Sequence, residues 1–437
     1  VTLGPYDFIY DLRLADGRLS GAAHQVEDGR QRATIPMGEV SFDGTALEMT
    51  FVAMAPYRGE VDLEAGRITG GHPGAGAFED LPLTHVAAAD WPMVAATPSS
   101  SSGEEGTAYA WRRPADRDDG WATATPEEVG IDPGAIEGTV EAVIRGDAGA
   151  LHSLLIVRHG KVVVEEYLHG WRADDLHRLA SCTKSVSSLL VGIAIDRGEI
   201  AGVDVPLLDF FPERRANAGD GWEAIRLEHL LTMSMGLDWS DLEAETFPPQ
   251  DQDRFTNVIS RRVRDEPGSA FRYVNRNVDL LSMVLLQATG SHADVFAAEH
   301  LLAPLGIEAW DWDNNRYEGH PAMSGTLMLR PRDMAKLGQL LLNEGSWDGQ
   351  HVVSTDWIRQ STAVRFHPSP NDAYGYLWWG FNDPPPGVDF AMGIGSQYIV
   401  AAPALDMVVV STGANEYNGK QSAILDLIKQ HLGPGLR

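Results

Sequence analysis

Ser181-Cys182-Thr183-Lys184, followed by Ser185-Val186-Ser187-Ser188-Leu189-Leu190-Val191-Gly192-Ile193-Ala194, decides how the rest of this 437-residue chain is read. An α-helix turns about 100° and rises about 1.5 Å per residue, so residues three apart share a face roughly 4.5 Å along the axis. Lys184 can therefore reach the Ser181 hydroxyl. Val186, Leu189, Leu190, Ile193 and Ala194 recur at helical spacing, which predicts a buried helix with its first turn at the edge of the core. Burial there disfavours the ammonium form of Lys184 and makes it a base for a serine nucleophile near neutral pH. Ser and Lys at this spacing also occur by chance, so the reading depends on partners elsewhere. Lysine is scarce in the chain, which otherwise has only Lys161, Lys336, Lys420 and Lys429.

Two later segments supply such partners. Pro267-Gly268-Ser269-Ala270-Phe271-Arg272-Tyr273-Val274-Asn275 precedes the helix-like run Val278 to Ala288, and a Tyr-x-Asn on such a turn can aim a phenol and an amide into a cleft. Gly393-Ile394-Gly395-Ser396-Gln397 opens an apolar strand, Tyr398 to Ala402, where small residues let a substrate approach backbone N–H donors. An ordinary buried tyrosine and a β-bulge are the plain readings of the same two segments.

In this order the three elements resemble the serine β-lactamase-like superfamily, in particular its carboxylesterase and 6-aminohexanoate-dimer hydrolase branch, over roughly residues 118 to 432. Supporting phrases are Asp118-Asp119-Gly120-Trp121, Leu176-His177-Arg178-Leu179-Ala180, His229 through Leu237, Ser324-Gly325, Arg332-Asp333-Met334-Ala335-Lys336-Leu337-Gly338, and Tyr374-Gly375-Tyr376-Leu377-Trp378-Trp379. The resemblance implies that Ser181 is acylated, Lys184 is its base and Tyr273 relays a proton to the leaving group, with Asn275 supporting beside Lys184. It implies the backbone N–H groups of Ser181 and Ile394 as oxyanion donors, with Gly395 or Ser396 in second place if the register differs. One departure bears on substrate. Penicillin-recognising relatives carry Lys-Thr-Gly or His-Thr-Gly where this chain has Gly393-Ile394-Gly395, so no cation is supplied there for a substrate carboxylate. That favours esters, lactones or amides over a β-lactamase or D,D-peptidase, which stands as the alternative. A non-catalytic binding member of the fold is a second alternative, and retention of Ser181, Lys184 and Tyr273 together argues against it.

Other chemistries fail on spacing. The chain has no Gly-x-Ser-x-Gly elbow and no His-Glu-x-x-His, and its fourteen histidines are scattered, with His177 the one closest before the nucleophile. Neither Gly74-Ala75-Gly76 nor Gly393-Ile394-Gly395 completes a dinucleotide fingerprint. No metal or organic cofactor is expected. A net charge of −28 repels nucleic acid and anionic lipid, and no apolar stretch reaches the roughly 18 residues needed to span a bilayer. The expected ligand is a small ester, lactone or amide. Cys182 is the single cysteine, so no internal disulfide forms, which fits a cytoplasmic location, although a leader ahead of Val1 is compatible with the same sequence.

The expected fold class is α+β: an antiparallel sheet flanked by helices, with a mainly helical insert at about 205–310, preceded by a small all-β domain. Residues 1–95 read as that antiparallel barrel or sandwich. Thr45 to Met54 places Leu47, Met49 and Phe51 on one face, and Glu60 to Thr69 forms a hairpin around Ala65-Gly66. This domain is expected to cover the active-site mouth or to mediate homo-oligomer contacts. Residues 96–117, with their Ser- and Gly-rich stretch, read as a flexible linker, and 118–437 as the hydrolase domain. There, Asp132 caps a helix beginning at Pro133, and His159-Gly160 joins two strands. Trp239, Phe247, Phe255, Trp378 and Trp379 are candidate apolar walls for substrate. Asp238, Asp241 and Glu243 form an acidic loop, most simply a solvated one.

Overall fold

The computed structural model describes residues 109–239, 254–312, 319–382, 387–415 and 419–436, together with the N-terminal strands between residues 2 and 84. The N-terminal strands, Thr2–Leu3, Tyr6–Ala15, Arg18–Glu27, Arg30–Phe42, Ala46–Phe51, Tyr57–Asp62, Arg67–Gly71 and Leu83–Thr84, are neighbours in chain order. Among the described residues they form an open antiparallel meander, whereas a barrel would pair the first strand with the last. Leu47 and Met49 share the buried face as their alternation predicts, packed with Tyr57 and Leu83. The hairpin closes on Asp62↔Arg67, so four residues rather than two connect its strands, and the Asp62 carboxylate accepts the Ala65 N–H at 2.9 Å. Phe247 and the serine-rich tract lie outside the described residues. Packing onto the hydrolase sheet is already under way at Tyr109, whose hydroxyl donates to Glu166 at 2.6 Å, and at Trp111, whose indole N–H donates to the Val163 carbonyl.

The main sheet runs, edge to edge, Asp372–Tyr374, Trp379–Phe381, Asp389–Gly393, Gln397–Ala402, Met407–Gly413, Leu151–Arg158, Lys161–Tyr167 and Ala122–Thr123, antiparallel except for the last pair. Its central strands are almost wholly apolar because both faces are covered. Leu155, Val157, Ile399, Ala401, Val408 and Val410 face the core that holds helix Cys182–Asp196 and helix Pro331–Leu342. Leu154, Ile156, Tyr398, Val400 and Val409 face a second core with helix Pro133–Ile144 and the C-terminal helical turns. Asp132 caps Pro133–Ile144 by accepting the Gly134 N–H at 3.0 Å. His159 and Gly160 take φ of 52° and 67°, the positive pair that a tight two-residue hairpin turn requires.

Among the described residues between 205 and 310 the chain is mainly helical, with Leu227–Leu231, Arg254–Ile259, Asn275–Thr289 and Ala293–Ala297. Helix Asn275–Thr289 packs against helix Cys182–Asp196, which sets the insert against the first core.

Candidate active site

Helix Cys182–Asp196 is buried from Cys182 to Ala194, and Ser181 sits at its N-cap, half-buried, where the chain enters from a left-handed residue, Ala180 at φ 46°. A non-glycine residue in that region carries backbone strain of order 1–3 kcal/mol, held here by surrounding contacts. The Lys184 Nζ lies 2.8 Å from the Ser181 Oγ and donates to the Ser324 carbonyl at 2.6 Å. Burial pulls the Lys184 pKa down to about 7, the Asp279 carboxylate opposing and the Arg178 cation assisting. Asp279, itself buried, accepts the Ser324 N–H at 3.0 Å, so the carboxylate, the Ser324 backbone and the amine form one chain. Cys182 does not share this chemistry: its thiol donates to the Gln397 carbonyl at 3.3 Å, and burial raises its pKa.

Tyr273 closes the other side of Ser181. Its hydroxyl lies close enough to Ser181 to interact with it, its ring centroid is 4.9 Å from Lys184 Nζ, and burial raises its pKa so that the phenol stays protonated. Trp379, half-buried, stacks on Tyr273 at 6.0 Å, and Phe271 and Tyr374 pack edge-on to Trp379. Asn275 begins helix Asn275–Thr289. Its carboxamide oxygen is buried without a partner among the described residues, and the second bond of Lys184 goes to Ser324 instead. Trp239 and Trp378 are each 2% exposed and belong to the core, Trp239 donating its indole N–H to Asn277. The His177 ring packs at a tilt 4.1 Å from Trp171, on which His152 stacks, a packing position.

The third wall is the turn after strand Asp389–Gly393. A Cβ built on Gly393 would lie 2.3 Å from the Leu179 carbonyl oxygen and 3.0 Å from the Ser181 nitrogen, so only glycine lets this strand end approach the turn that carries Ser181. Every backbone polar group of the turn can be traced. Gly393 pairs with Gln397 in the ladder, and its carbonyl accepts from Gln421 Nε2 at 2.8 Å. The Ile394 carbonyl accepts from Gln397, and the Gly395 carbonyl from the Asn415 N–H. The N–H groups of Gly395 and Ser396 both donate to Gln421 Oε1, at 2.8 and 3.1 Å, and the Ser396 carbonyl accepts from Ser411 Oγ. Among the described residues, the N–H of Ile394 donates to none, and neither does that of Ser181. Gly395 and Ser396 are therefore occupied donors. Ser324, Asp279 and Gln421 were not singled out from sequence as site residues. Of these only Asp279, a carboxylate inside the apolar run Val278-Asp279-Leu280-Leu281, left a legible signal.

The Beta-lactamase family model matches residues 136–427. The chain belongs to the Beta-lactamase family. The 6-aminohexanoate-dimer hydrolase of Paenarthrobacter ureafaciens is 25% identical to it over 304 residues, covering 62% of this chain and 76% of that protein. Esterase EstB of Burkholderia gladioli is 28% identical over 215 residues, or 43% and 54% of the two chains. The crystal structure of a family VIII carboxylesterase superposes with a TM-score of 0.55 at 15% identity, over 68% of this chain and 96% of its own, which shows the shared fold. This Beta-lactamase family member is thus a β-lactamase-fold hydrolase related to 6-aminohexanoate-dimer hydrolase, esterases and β-lactamases. Among the described residues no cluster of His, Cys, Asp or Glu could hold a metal ion, and no helix is long and apolar enough to cross a membrane.

Proposed function

We propose that the protein hydrolyses carboxylic esters, lactones or amides of small molecules through an acyl-enzyme on Ser181, with Lys184 and Tyr273 as the acid–base pair. The observation that carries this reading is the buried Lys184 amine, 2.8 Å from Ser181 Oγ and titrating near 7. A neutral amine has two N–H bonds and one lone pair. With one N–H held by the Ser324 carbonyl, the lone pair is free to take the Ser181 proton as its oxygen attacks the acyl carbon. Tyr273 remains a neutral phenol and so serves as donor rather than base, passing a proton to the departing alcohol or amine. The N–H groups of Ser181 and Ile394 receive the oxyanion, at about 3 kcal/mol per donor where such donors have been removed. Water then repeats the cycle on the acyl group. Asn275, two residues after Tyr273 at the start of its helix, is kept as a supporting amide, and Trp379 offers an apolar wall beside Tyr273.

The relatives named as an amide-dimer hydrolase and an esterase support the substrate class, and the missing cation at Gly393-Ile394-Gly395 favours it over penicillins. The test is intact-mass spectrometry after a fluorophosphonate probe, with p-nitrophenyl acetate and butyrate turnover, on wild type and Ser181→Ala. One adduct and ester hydrolysis, both lost in the variant, are expected. Turnover that persists in Ser181→Ala would overturn the assignment.

A further inference from the structure

Gln421 lies just ahead of the C-terminal helical turn Ala423–Leu427, in a segment no sequence motif marks. Its side chain nevertheless makes three hydrogen bonds to one turn, accepting from the Gly395 and Ser396 N–H groups and donating to the Gly393 carbonyl. The turn it grips is not one the backbone favours unaided, since Gly395 has φ 95° and Ser396, a residue with a Cβ, has φ 68°. A second tie comes from Ser396 Oγ, which donates to the Gln421 carbonyl at 2.8 Å and accepts from Asn415 Nδ2 at 2.9 Å.

These bonds have a directional consequence. With the Gly393 carbonyl and the Gly395 and Ser396 N–H groups all held towards Gln421, the peptides on both sides of Ile394 are fixed. The Ile394 N–H is left as the turn's free donor. Without the clamp, the Gly395 and Ser396 N–H groups would compete for the oxyanion, and the glycine-flanked peptides could rotate the Ile394 N–H away. We infer that Gln421 is a positioning residue, which pre-aims the Ile394 N–H at the oxyanion by clamping the Gly393–Ser396 turn from the side opposite the substrate. The inference rests on the serine acyl-enzyme reading above and adds to it a C-terminal residue that never touches substrate.

Gln421→Met keeps the length of the side chain and removes all three bonds, while Gln421→Glu keeps the acceptor for two N–H groups and removes the donor. With p-nitrophenyl butyrate, kcat per fluorophosphonate-titrated site should fall at least about tenfold in Gln421→Met, towards the 10²–10³-fold seen when an oxyanion donor is deleted. KM should stay within about threefold. The phosphonylation rate should fall in parallel, because the phosphonyl oxygen uses the same donors, while the endpoint remains one adduct per chain. Gln421→Glu should lie between Gln421→Met and wild type, and it decides the matter if Gln421→Met does not fold. Wild-type kcat per titrated site in either folded variant would overturn the role of Gln421. The same result would follow from a loss confined to the number of titratable sites, the mark of a purely structural residue. If wild type itself reacts at no serine, or reacts equally in Ser181→Ala, the acyl-enzyme reading fails first and takes this inference with it.

Discussion

Replacing Gly393 by alanine tests whether the strand end and the nucleophile turn form one catalytic unit. The added methyl would sit 2.3 Å from the Leu179 carbonyl oxygen, 3.0 Å from the Ser181 nitrogen and 3.1 Å from the Ala180 Cβ. A carbon–oxygen contact is comfortable from about 3.3 Å, so the strand and the turn must part by roughly 1 Å. Rotamer change cannot relieve the clash, because two of the three contacts are backbone atoms. Overpacking of this kind costs about 1–3 kcal/mol of stability. The displacement falls between the two proposed oxyanion donors, where a 1 Å error costs on the order of 10² in rate, or about 2.7 kcal/mol of barrier. Gly393→Ala should therefore lose about a hundredfold in kcat for p-nitrophenyl butyrate, measured per titrated site, with a lower urea midpoint but a single cooperative transition. Wild-type turnover together with a wild-type midpoint would mean that this strand does not border the nucleophile as the geometry requires.

Three further outcomes follow from the same site. If neutral Lys184 is the base, kcat/KM should rise with pH through about 7 and level above it; Asp279→Asn removes a charge that raises the lysine pKa, so the limb should move to lower pH, and an unmoved limb would disconnect Asp279 from Lys184. Because the Lys184 pKa is about 7 in the folded protein against 10.5 for an ordinary lysine, the unfolded chain binds more protons between these values, and stability should rise with pH from about 7 to 9, a slope that Lys184→Met should reduce in urea titrations. Tyr273→Phe should slow anilide or linear amide cleavage more than p-nitrophenyl ester cleavage, since an aryloxide departs unprotonated; equal losses would exclude a leaving-group role.

What was legible in the sequence was whatever lay within one element. The apolar stripe behind Ser181 fixed helix Cys182–Asp196, alternation fixed the buried face of Ala46–Phe51, and Asp132-Pro133 fixed a helix start, because each is a local periodic or capping signal. Aromatic residues carried no such signal. Trp239 and Trp378 read as cleft walls from sequence yet are buried, because burial depends on which elements cover a residue rather than on its own neighbours in sequence. Several phrases that announced the family prove to be scaffold: Arg332 joins Asp119 at 2.9 Å and Glu165 at 2.6 Å, and the Trp121 indole donates to the Arg332 carbonyl.

The residues that tune the chemistry were the least legible, for a physical reason. Lys184 takes its second acceptor from Ser324, 140 positions away, and the Ile394 turn takes its clamp from Gln421 across the C-terminal segment. In both cases a backbone carbonyl or N–H is half of the interaction. Side-chain identity records only one partner, so no spacing rule can announce the pair. Asp279 is the instructive exception. A carboxylate on the buried face of an apolar helix must be satisfied by something, and that need alone marks it. Cys182 shows the converse, for it adjoins Ser181 in sequence yet points along the helix period into the core and donates to Gln397. Chemistry in this fold is thus assigned by the direction in which a group is buried, and adjacency to Ser181 counts for little beside it.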